Sequence, residues 1–415
     1  MISQKYYKIF LSFIDEESPS FFKKIILVFL LACLVIICIV SYDKSAINKC
    51  YEIMVGDWLI NYSAGFIRRG LMGSFILEIS SLTHIRPAQI VAIFKIISYC
   101  VIYLSAIYII SKAKIFKIGH AFLFTYQTNF MFPLLDFRGS GRKEILLLAL
   151  FSIFSIKKNK KLVNNSLILL SSALFVLTFV HDALFWFYPF VLLLLSKIFP
   201  NKNLTFKSCL IVLTPSVIST FIVVAYGTKM DLETLDLMTK AIDPINFKLW
   251  SNSITYVTWD FNEQINSILR SLKVSSIINL CFTLLLVYFP IHLLTKIDNH
   301  ELFKNKKFLH SLIGCLLFQG PLILAKDWGR WIYVDSTMLY LTYFLTLSQD
   351  LENNINIKVN EFTRMKTVLT FSLLLLFIFT WRLHHCCATG FELTIVNHIN
   401  YFLRWYIITA SKTNF

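Results

Sequence analysis

Long apolar runs separated by short charged clusters recur along almost the whole chain. Runs of about 17–24 apolar residues match the length that an α-helix needs to cross a bilayer. The pattern therefore predicts an all-α fold, a polytopic transmembrane helix bundle of about 11–12 spans. The predicted spans are 25–42, 88–111, 119–135, 144–156, 163–180, 183–199, 208–226, 276–295, 309–325, 332–348 and 367–382. The segment 392–410, which polar residues interrupt, forms either a twelfth span or a helix lying in the interface.

Two outer loops are long within this single integral membrane domain, residues 1–415. The loop 43–87 contains an apolar stretch from Gly70 to Ile79 that is too short to span, so we expect it to lie in the interface. The loop 227–275 mixes charged and aromatic residues, and we expect a small cap with short helices there. Loops of this length in a compact bundle are commonly functional.

Lysine marks one side of the membrane and arginine the other. The loops after alternate spans are rich in lysine, around Lys114, Lys158, Lys202, Lys306 and Lys358, and the positive-inside rule assigns them to the inner side. At least eight of the ten arginines then face outward. A guanidinium grips phosphate with a rigid fork of donors, whereas lysine acts as a point charge. The asymmetry predicts an outward-facing site for an anionic, phosphate-bearing, lipid-linked substrate.

The composition favours a membrane protein over other classes. The chain is 56% hydrophobic and 16% aromatic, beyond the range of a soluble domain. Its net charge of +16 requires no nucleic-acid partner, because basic loops orient a membrane bundle. The sequence His384-His385-Cys386-Cys387 resembles no common zinc pattern, so we expect no metal or other cofactor.

Four short polar motifs fall in the predicted outer segments. In the first, Asp57 precedes the pair Arg68 and Arg69, which Gly65 and Gly70 flank. Two guanidiniums and a carboxylate near the membrane surface can bind a phosphate and place a base beside it. The alternative is a loop whose arginines hold lipid headgroups and whose aspartate pairs with one of them.

The second motif places five charged side chains between two predicted spans: Asp136, Arg138, Arg142, Lys143 and Glu144. Its glycines leave backbone N–H groups to cradle an anion at the start of the following helix. Charges so close to a bilayer are costly and commonly functional. Substrate binding is therefore favoured over a polar turn closed by the pairs Asp136–Arg138 and Lys143–Glu144.

The third motif is His181 followed by Asp182, at an outer turn between two strongly apolar spans. A histidine beside a carboxylate offers a general base, with the acid either fixing the imidazole or acting separately. A polar turn solvated at the interface is an equally open interpretation, because adjacent side chains seldom hydrogen-bond to each other.

The fourth motif combines Asp327, Arg330 and Trp331 at the start of a predicted span. The arginine can bind phosphate while the tryptophan packs on an apolar sugar face. The alternative is an aromatic belt with a snorkelling arginine at the interface. All four motifs emerge on one face if the spans are counted correctly, so we expect them to form a single site.

The hydropathy plan, the outward arginines, the large late outer loop and Asp57 in the first outer loop resemble bacterial polysaccharide polymerases of the O-antigen type. The chain is also similar to the wider group of polyprenyl-phosphate-dependent membrane glycosyltransferases. The first resemblance implies that the lipid pyrophosphate is engaged by Arg68, Arg69, Arg138, Arg142 and Arg330. The second implies a catalytic acid at Asp57, but the acidic pair usual in that group is not evident beside it, which argues against a metal-dependent version.

These features predict a multi-pass enzyme of the bacterial inner membrane whose active site faces the periplasm. It would join saccharide units carried on undecaprenyl pyrophosphate, with Asp57 or His181 taking the acceptor proton and arginines neutralising the leaving group in place of a metal. The expected partners are the lipid-linked oligosaccharide, membrane lipid and other glycan-assembly proteins. Two alternatives stay open: a transporter or flippase of lipid-linked saccharides, and a membrane acyltransferase that uses a His–Asp pair on the glycan.

Overall fold

The computed structural model describes residues 20–47, 55–113, 118–156, 164–199, 206–227, 231–242, 274–297, 305–325 and 327–352, two residue pairs at 381–382 and 390–391, and four isolated positions between 258 and 269. This part of the chain is mostly helical, and the helical class expected from the hydropathy pattern is confirmed. The predicted segment 392–410 and almost all of the predicted span 367–382 lie outside the described residues.

The described helices follow the apolar runs closely. In chain order the α-helices are α1 Ser20–Tyr42, α2 Gly70–Thr83, α3 Pro87–Lys112, α4 Ile118–Phe124, α5 Phe132–Leu135, α6 Phe137–Ser140, α7 Ile145–Ser155, α8 Asn164–Val180, α9 Tyr188–Ile198, α10 Phe206–Tyr226, α11 Leu232–Lys240, α12 Val274–Ile297, α13 Lys306–Phe318 and α14 Trp328–Glu352. A π-helical turn covers Asp43–Ile47, and 3-10 turns cover Asp57–Leu59, Asp182–Phe187 and Gly320–Ala325. A two-residue antiparallel pairing joins β1 Trp381–Arg382 to β2 Gly390–Phe391.

Among the described residues, three helical segments are long and apolar enough to cross a membrane: Lys23–Ala46, Pro87–Lys112 and Ser208–Tyr226. All three turn apolar side chains outward, such as Val28 on α1, Ile97 on α3 and Val224 on α10. An extended apolar surface of this kind needs an apolar environment, and lipid supplies one.

Helix α14 lies at the centre of the described fold. Its side chains are buried without interruption from Trp328 to Phe344, and it contacts α3, α7, α9 and α12. A helix that is buried all round belongs to the interior of a bundle. The first turn of α14, which carries Arg330, is therefore held inside the protein.

The predicted span 119–135 is not one continuous helix. It begins as α4, turns over residues 125–131 and resumes as α5. Protein groups satisfy the turn, since Ser336 Oγ on α14 donates to the carbonyl of Thr128 over 2.7 Å. Irregular backbone is tolerated at membrane depth where protein covers it. The predicted span 309–325 is divided in the same way, between α13 and a 3-10 turn.

Both long outer loops contribute a helix that packs beside the turn Asp57–Leu59. Helix α2 approaches so closely that a Cβ on Gly73 would lie 2.0 Å from the carbonyl oxygen of Ile60. Helix α11 is a short helix, of the kind expected in the loop 227–275, and its Met238 carbonyl accepts from Asn61 Nδ2 over 3.3 Å. Whether α2 lies in a membrane interface stays a prediction, and most of the remaining loop 227–275 lies outside the described residues.

Candidate functional site

Charged residues from all four sequence motifs meet beside the first turn of α14. We call this group the charged cluster. Its members are Asp57, Arg68, Arg69, Arg142, Lys143, Glu144, His181, Asp182, Asp327 and Arg330.

Trp58 holds the first motif against the second. Its side chain is fully buried, and Nε1 donates to the carbonyl of Gly141 over 2.9 Å. The neighbouring Asp57 is also buried, with Oδ1 3.6 Å from Nη1 of Arg142. The acid of the first loop and an arginine of the second motif are thereby paired inside the protein.

Arg69 ties the first motif to the third. Its backbone is left-handed, with φ at 69°, a conformation that is strained for any residue with a Cβ. The ammonium of Lys143 donates to the Arg69 carbonyl over 2.9 Å and to the Val180 carbonyl over 3.3 Å. The Arg69 Nε donates to Asp182 Oδ1 over 2.6 Å. Contacts at both its backbone and its side chain thus fix this residue where α2 begins.

Glu144 ties the third motif to the fourth. Its Oε1 lies 3.2 Å from His181 Nε2 and 2.9 Å from Arg330 Nη1. The other terminal nitrogen of Arg330, Nη2, lies 2.5 Å from Asp327 Oδ2. The same guanidinium lies over the indole of Trp331, 4.5 Å from the ring centroid. Two carboxylates and an aromatic ring therefore fix the orientation of Arg330.

The two ring nitrogens of His181 face different groups. Nδ1 accepts a hydrogen bond from the backbone N–H of Ala183 over 3.2 Å, so the neutral ring carries its proton on Nε2, which faces Glu144. Burial, and then the charge of Arg69, lower the pKa of the ring, so the imidazole is neutral at pH 7. Asp182 lies beside Nδ1 at 3.7 Å but is hydrogen-bonded to Arg69. The carboxylate facing Nε2 is that of Glu144 rather than that of the adjacent acid.

The cluster keeps its buried carboxylates ionised. Burial alone raises the pKa of Asp57, but the charges of Arg142 and Lys143 outweigh it and leave that pKa well below its usual range. Burial opposes ionisation of Glu144 as well, and the charge of Arg330 still lowers the pKa of this carboxyl to about 2. Both acids are therefore anions at pH 7.

The formal charges of the cluster leave an excess of positive charge. Its basic members are Arg68, Arg69, Arg142, Lys143 and Arg330, and its acidic members are Asp57, Glu144, Asp182 and Asp327. Burial lowers the pKa of Lys143 to about 8, so this ammonium still carries its charge at pH 7. With His181 neutral, the five cations exceed the four anions by one, which favours an anionic ligand.

Several buried polar atoms of the cluster have no hydrogen-bond partner among the described residues. They are Asp57 Oδ2, Glu144 Oε1 and Oε2, His181 Nε2, Arg142 Nε, Arg330 Nε and Trp331 Nε1. A buried polar atom left in this state costs about 1–3 kcal/mol. Donors and acceptors occur together, so the arrangement suits a ligand that carries both hydroxyl groups and anionic oxygens.

Two candidate site residues, Asp136 and Arg138, are not members of the charged cluster. Asp136 accepts the backbone N–H of Gly139 over 3.0 Å and so caps helix α6. Arg138, on α6, has an exposed side chain, whereas Arg330 is buried. The geometry gives Asp136 a role in shaping the loop.

Sequence reasoning assigned Glu144 no separate role, and it left open whether Lys95 pairs with Glu78 or Asp335 or serves the site. Glu144 connects two motifs, and its signal is an acid immediately before an apolar run, where burial demands a partner. Lys95 is fully buried in α3, donates to Ser45 Oγ over 3.1 Å and interacts electrostatically with Asp57 and Arg142. Its signal is a lone lysine within an apolar span.

No protein-family model, curated protein or solved structure matches this chain. Within the described ranges, no group of three His, Cys, Asp or Glu side chains is arranged to hold a metal ion. The resemblance to O-antigen polymerases stays a prediction, and the chemistry of the charged cluster has to be argued from its own geometry.

Proposed function

We propose that this chain is a polysaccharide polymerase of the bacterial inner membrane that joins saccharide units carried on undecaprenyl pyrophosphate. In this proposal about 11–12 spans cross the membrane, the lysine-rich loops lie inside, and the charged cluster opens to the periplasm. Three apolar helices of membrane length support the membrane assignment. The observation that carries the proposal is the buried pair of Asp57 and Arg142 within a cluster of charged residues from four motifs.

Asp57 is the base in the proposed reaction. The acceptor hydroxyl attacks the anomeric carbon of the donor, the bond from that carbon to the lipid pyrophosphate breaks, and the hydroxyl proton passes to the carboxylate. Support comes from Asp57 Oδ2, which is buried and has no hydrogen-bond partner among the described residues. His181 is less suited to this role, because its two nitrogens face Ala183 and Glu144.

The arginines stabilise the leaving group in the proposed reaction. Cleavage leaves a full extra negative charge on the lipid pyrophosphate, and guanidiniums held in place before the reaction stabilise that charge without reorganising. Arg142 lies closest to the base, 3.6 Å from Asp57. Arg330 is held by Glu144 and Asp327, which supports a fixed, preorganised role.

The two alternative functions fit the same geometry less well. An acyltransferase that uses His181 needs a ring nitrogen directed at its substrate, whereas Nδ1 accepts from Ala183 and Nε2 faces Glu144 at 3.2 Å. A flippase is expected to place ionisable groups at the midplane of broken helices, whereas the cluster gathers residues that precede or begin helices α2, α7 and α14.

Deletion of the gene, followed by gel analysis of the surface glycan, tests the proposal. A polymerase deletion leaves glycan with a single repeat unit, because export and ligation continue. Complementation with Asp57→Asn should leave the single-unit pattern, whereas Asp236→Asn, which removes a carboxylate from an exposed pair with Lys240, should restore long chains. A deletion strain without any glycan indicates a flippase, and unchanged chain length with altered substituents indicates an acyltransferase. Either result rejects the polymerase.

A further inference from the structure

The charged cluster has an inner and an outer part. In the inner part, the side chains of Arg330 and Glu144 are 7% and 2% exposed. In the outer part, those of Arg69 and Asp182 are 26% and 25% exposed, although their Nε–Oδ1 contact is the short 2.6 Å. Of the ion-paired arginines in the cluster, Arg69 is therefore the one that solvent, and an incoming anion, reaches most easily.

Asp182 acts on both arginines of the first motif. It is hydrogen-bonded to Arg69 and also attracts the charge of Arg68, while the two adjacent guanidiniums repel each other. A carboxylate oxygen and a phosphate oxygen accept hydrogen bonds from a guanidinium in the same way. Asp182 thus occupies, on Arg69, the position that a phosphate oxygen of a ligand requires.

We propose that Asp182 is a built-in competitor for the anion, which occupies Arg69 when the site is empty and is displaced when a pyrophosphate binds. This inference rests on the proposed function, because it takes the arginines to be pyrophosphate ligands. Asp182 is then a positioning residue that weakens anion binding and promotes release of the lipid pyrophosphate after each transfer. The pair is partly exposed, so exchanging one anionic partner for another is cheap.

Removing the charge of Asp182 should therefore strengthen anion binding. Inorganic pyrophosphate is the probe, titrated calorimetrically into the purified full-length protein in detergent. Asp182→Asn keeps the shape of the side chain, and its amide oxygen still accepts from Arg69. We expect this variant to bind pyrophosphate about three- to tenfold more tightly than the unaltered protein. Asp182→Ser, which also removes the charge, should show the same direction of change.

Asp236→Asn is the matched control, because it also removes one negative charge from an ion pair and its partner Lys240 is exposed. Its pyrophosphate affinity should equal that of the unaltered protein. Equal or weaker binding by both Asp182 variants overturns the competitor role and leaves the proposed function standing. Failure of every protein to bind pyrophosphate overturns the anion site, and with it both proposals. In turnover assays the competitor role further predicts that Asp182→Asn lowers KM and kcat together, because release slows.

Discussion

Arg330 Nη1 lies 2.9 Å from Glu144 Oε1, and this contact joins the first turn of α14 to the residue that precedes α7. Both side chains are buried, so each charge depends on the other for compensation. The contact also places His181 and Asp327 around one guanidinium and one carboxylate. Arg330 and Glu144 therefore depend on each other, and substitution of either should destabilise the position of the other.

Glu144→Ala should destabilise the protein strongly. It leaves the buried charge of Arg330 without one of its two carboxylates and removes the partner of His181 Nε2. Loss of one partner of a buried ion pair costs about 3–5 kcal/mol. Thermal unfolding in detergent measures the effect, and Asp236→Asn, in an exposed pair, should change stability by less than about 1 kcal/mol. Equal unfolding midpoints for the two variants would show that the Glu144 carboxylate does not stabilise the fold.

Arg330→Lys should reduce activity by at least about tenfold, equivalent to roughly 1.4 kcal/mol of transition-state stabilisation. Lysine keeps the charge but cannot face Glu144 and Asp327 with two terminal nitrogens at once. Lys240→Arg is the control, since Lys240 is exposed and lies outside the charged cluster, and it should stay within about twofold of full activity. Chain-length analysis after complementation compares the two. Full activity of Arg330→Lys would mean that only a point charge is needed there.

Stability should fall as the pH drops below 6.5, and His181 should cause the first part of the fall. The pKa of the folded ring is lowered from the ordinary 6.5, so below that pH the unfolded state binds more protons and is favoured. Glu144 acts at lower pH: its pKa is lowered from 4.5 to about 2, so its contribution is complete above pH 4.5 and is lost toward pH 2.

The variant His181→Gln isolates the first of these effects. It should flatten the decline in the unfolding midpoint between pH 6.5 and about pH 5, where Glu144 is still ionised. His310→Gln, which replaces an exposed histidine on α13, is the matched control. A slope that is the same in all three proteins would mean that His181 is not held neutral.

Gly73→Ala should disrupt the site from a distance. The added Cβ would lie 2.0 Å from the carbonyl oxygen of Ile60, so α2 must move away from the segment that follows Asp57. Overpacking of this kind commonly costs about 1–3 kcal/mol, and here it also displaces the proposed base. Gly314→Ala, on α13, meets nothing within 4 Å and should be neutral or slightly stabilising. The unfolding midpoint and the glycan chain length are measured for both variants. Equal values for the two would show that close packing at Gly73 does not support the site.

Much of the helical plan could be predicted from hydropathy, because apolar length is the dominant signal in such a chain. The predicted span 88–111 corresponds to Pro87–Lys112 and 208–226 to Phe206–Tyr226. The break within 119–135 could not be predicted in this way, since the carbonyl of Thr128 is satisfied by Ser336, a residue distant in sequence. Whether all the predicted spans cross a membrane, and in which direction, stays a prediction.

The sequence motifs of the site could be predicted, but the pairing of their charged side chains could not. Asp57, Arg142 and Arg330 were identifiable because charges beside apolar runs are costly. The pairing of His181 with Glu144, rather than with its neighbour Asp182, depends on how α7 and α8 are placed in the fold. The left-handed backbone of Arg69 also has no local signature, because glycines on either side were the more obvious candidates for such a conformation.

The most direct test of the central claim is polymerisation by the purified protein in liposomes. The substrate is the lipid-linked saccharide unit that accumulates in the deletion strain, and the readouts are chain length and released lipid pyrophosphate. We expect chains of several units, with one lipid pyrophosphate released per bond formed, and at least about a hundredfold slower growth with Asp57→Asn. Absence of chain growth with the unaltered protein, or unimpaired growth with Asp57→Asn, would contradict the central claim.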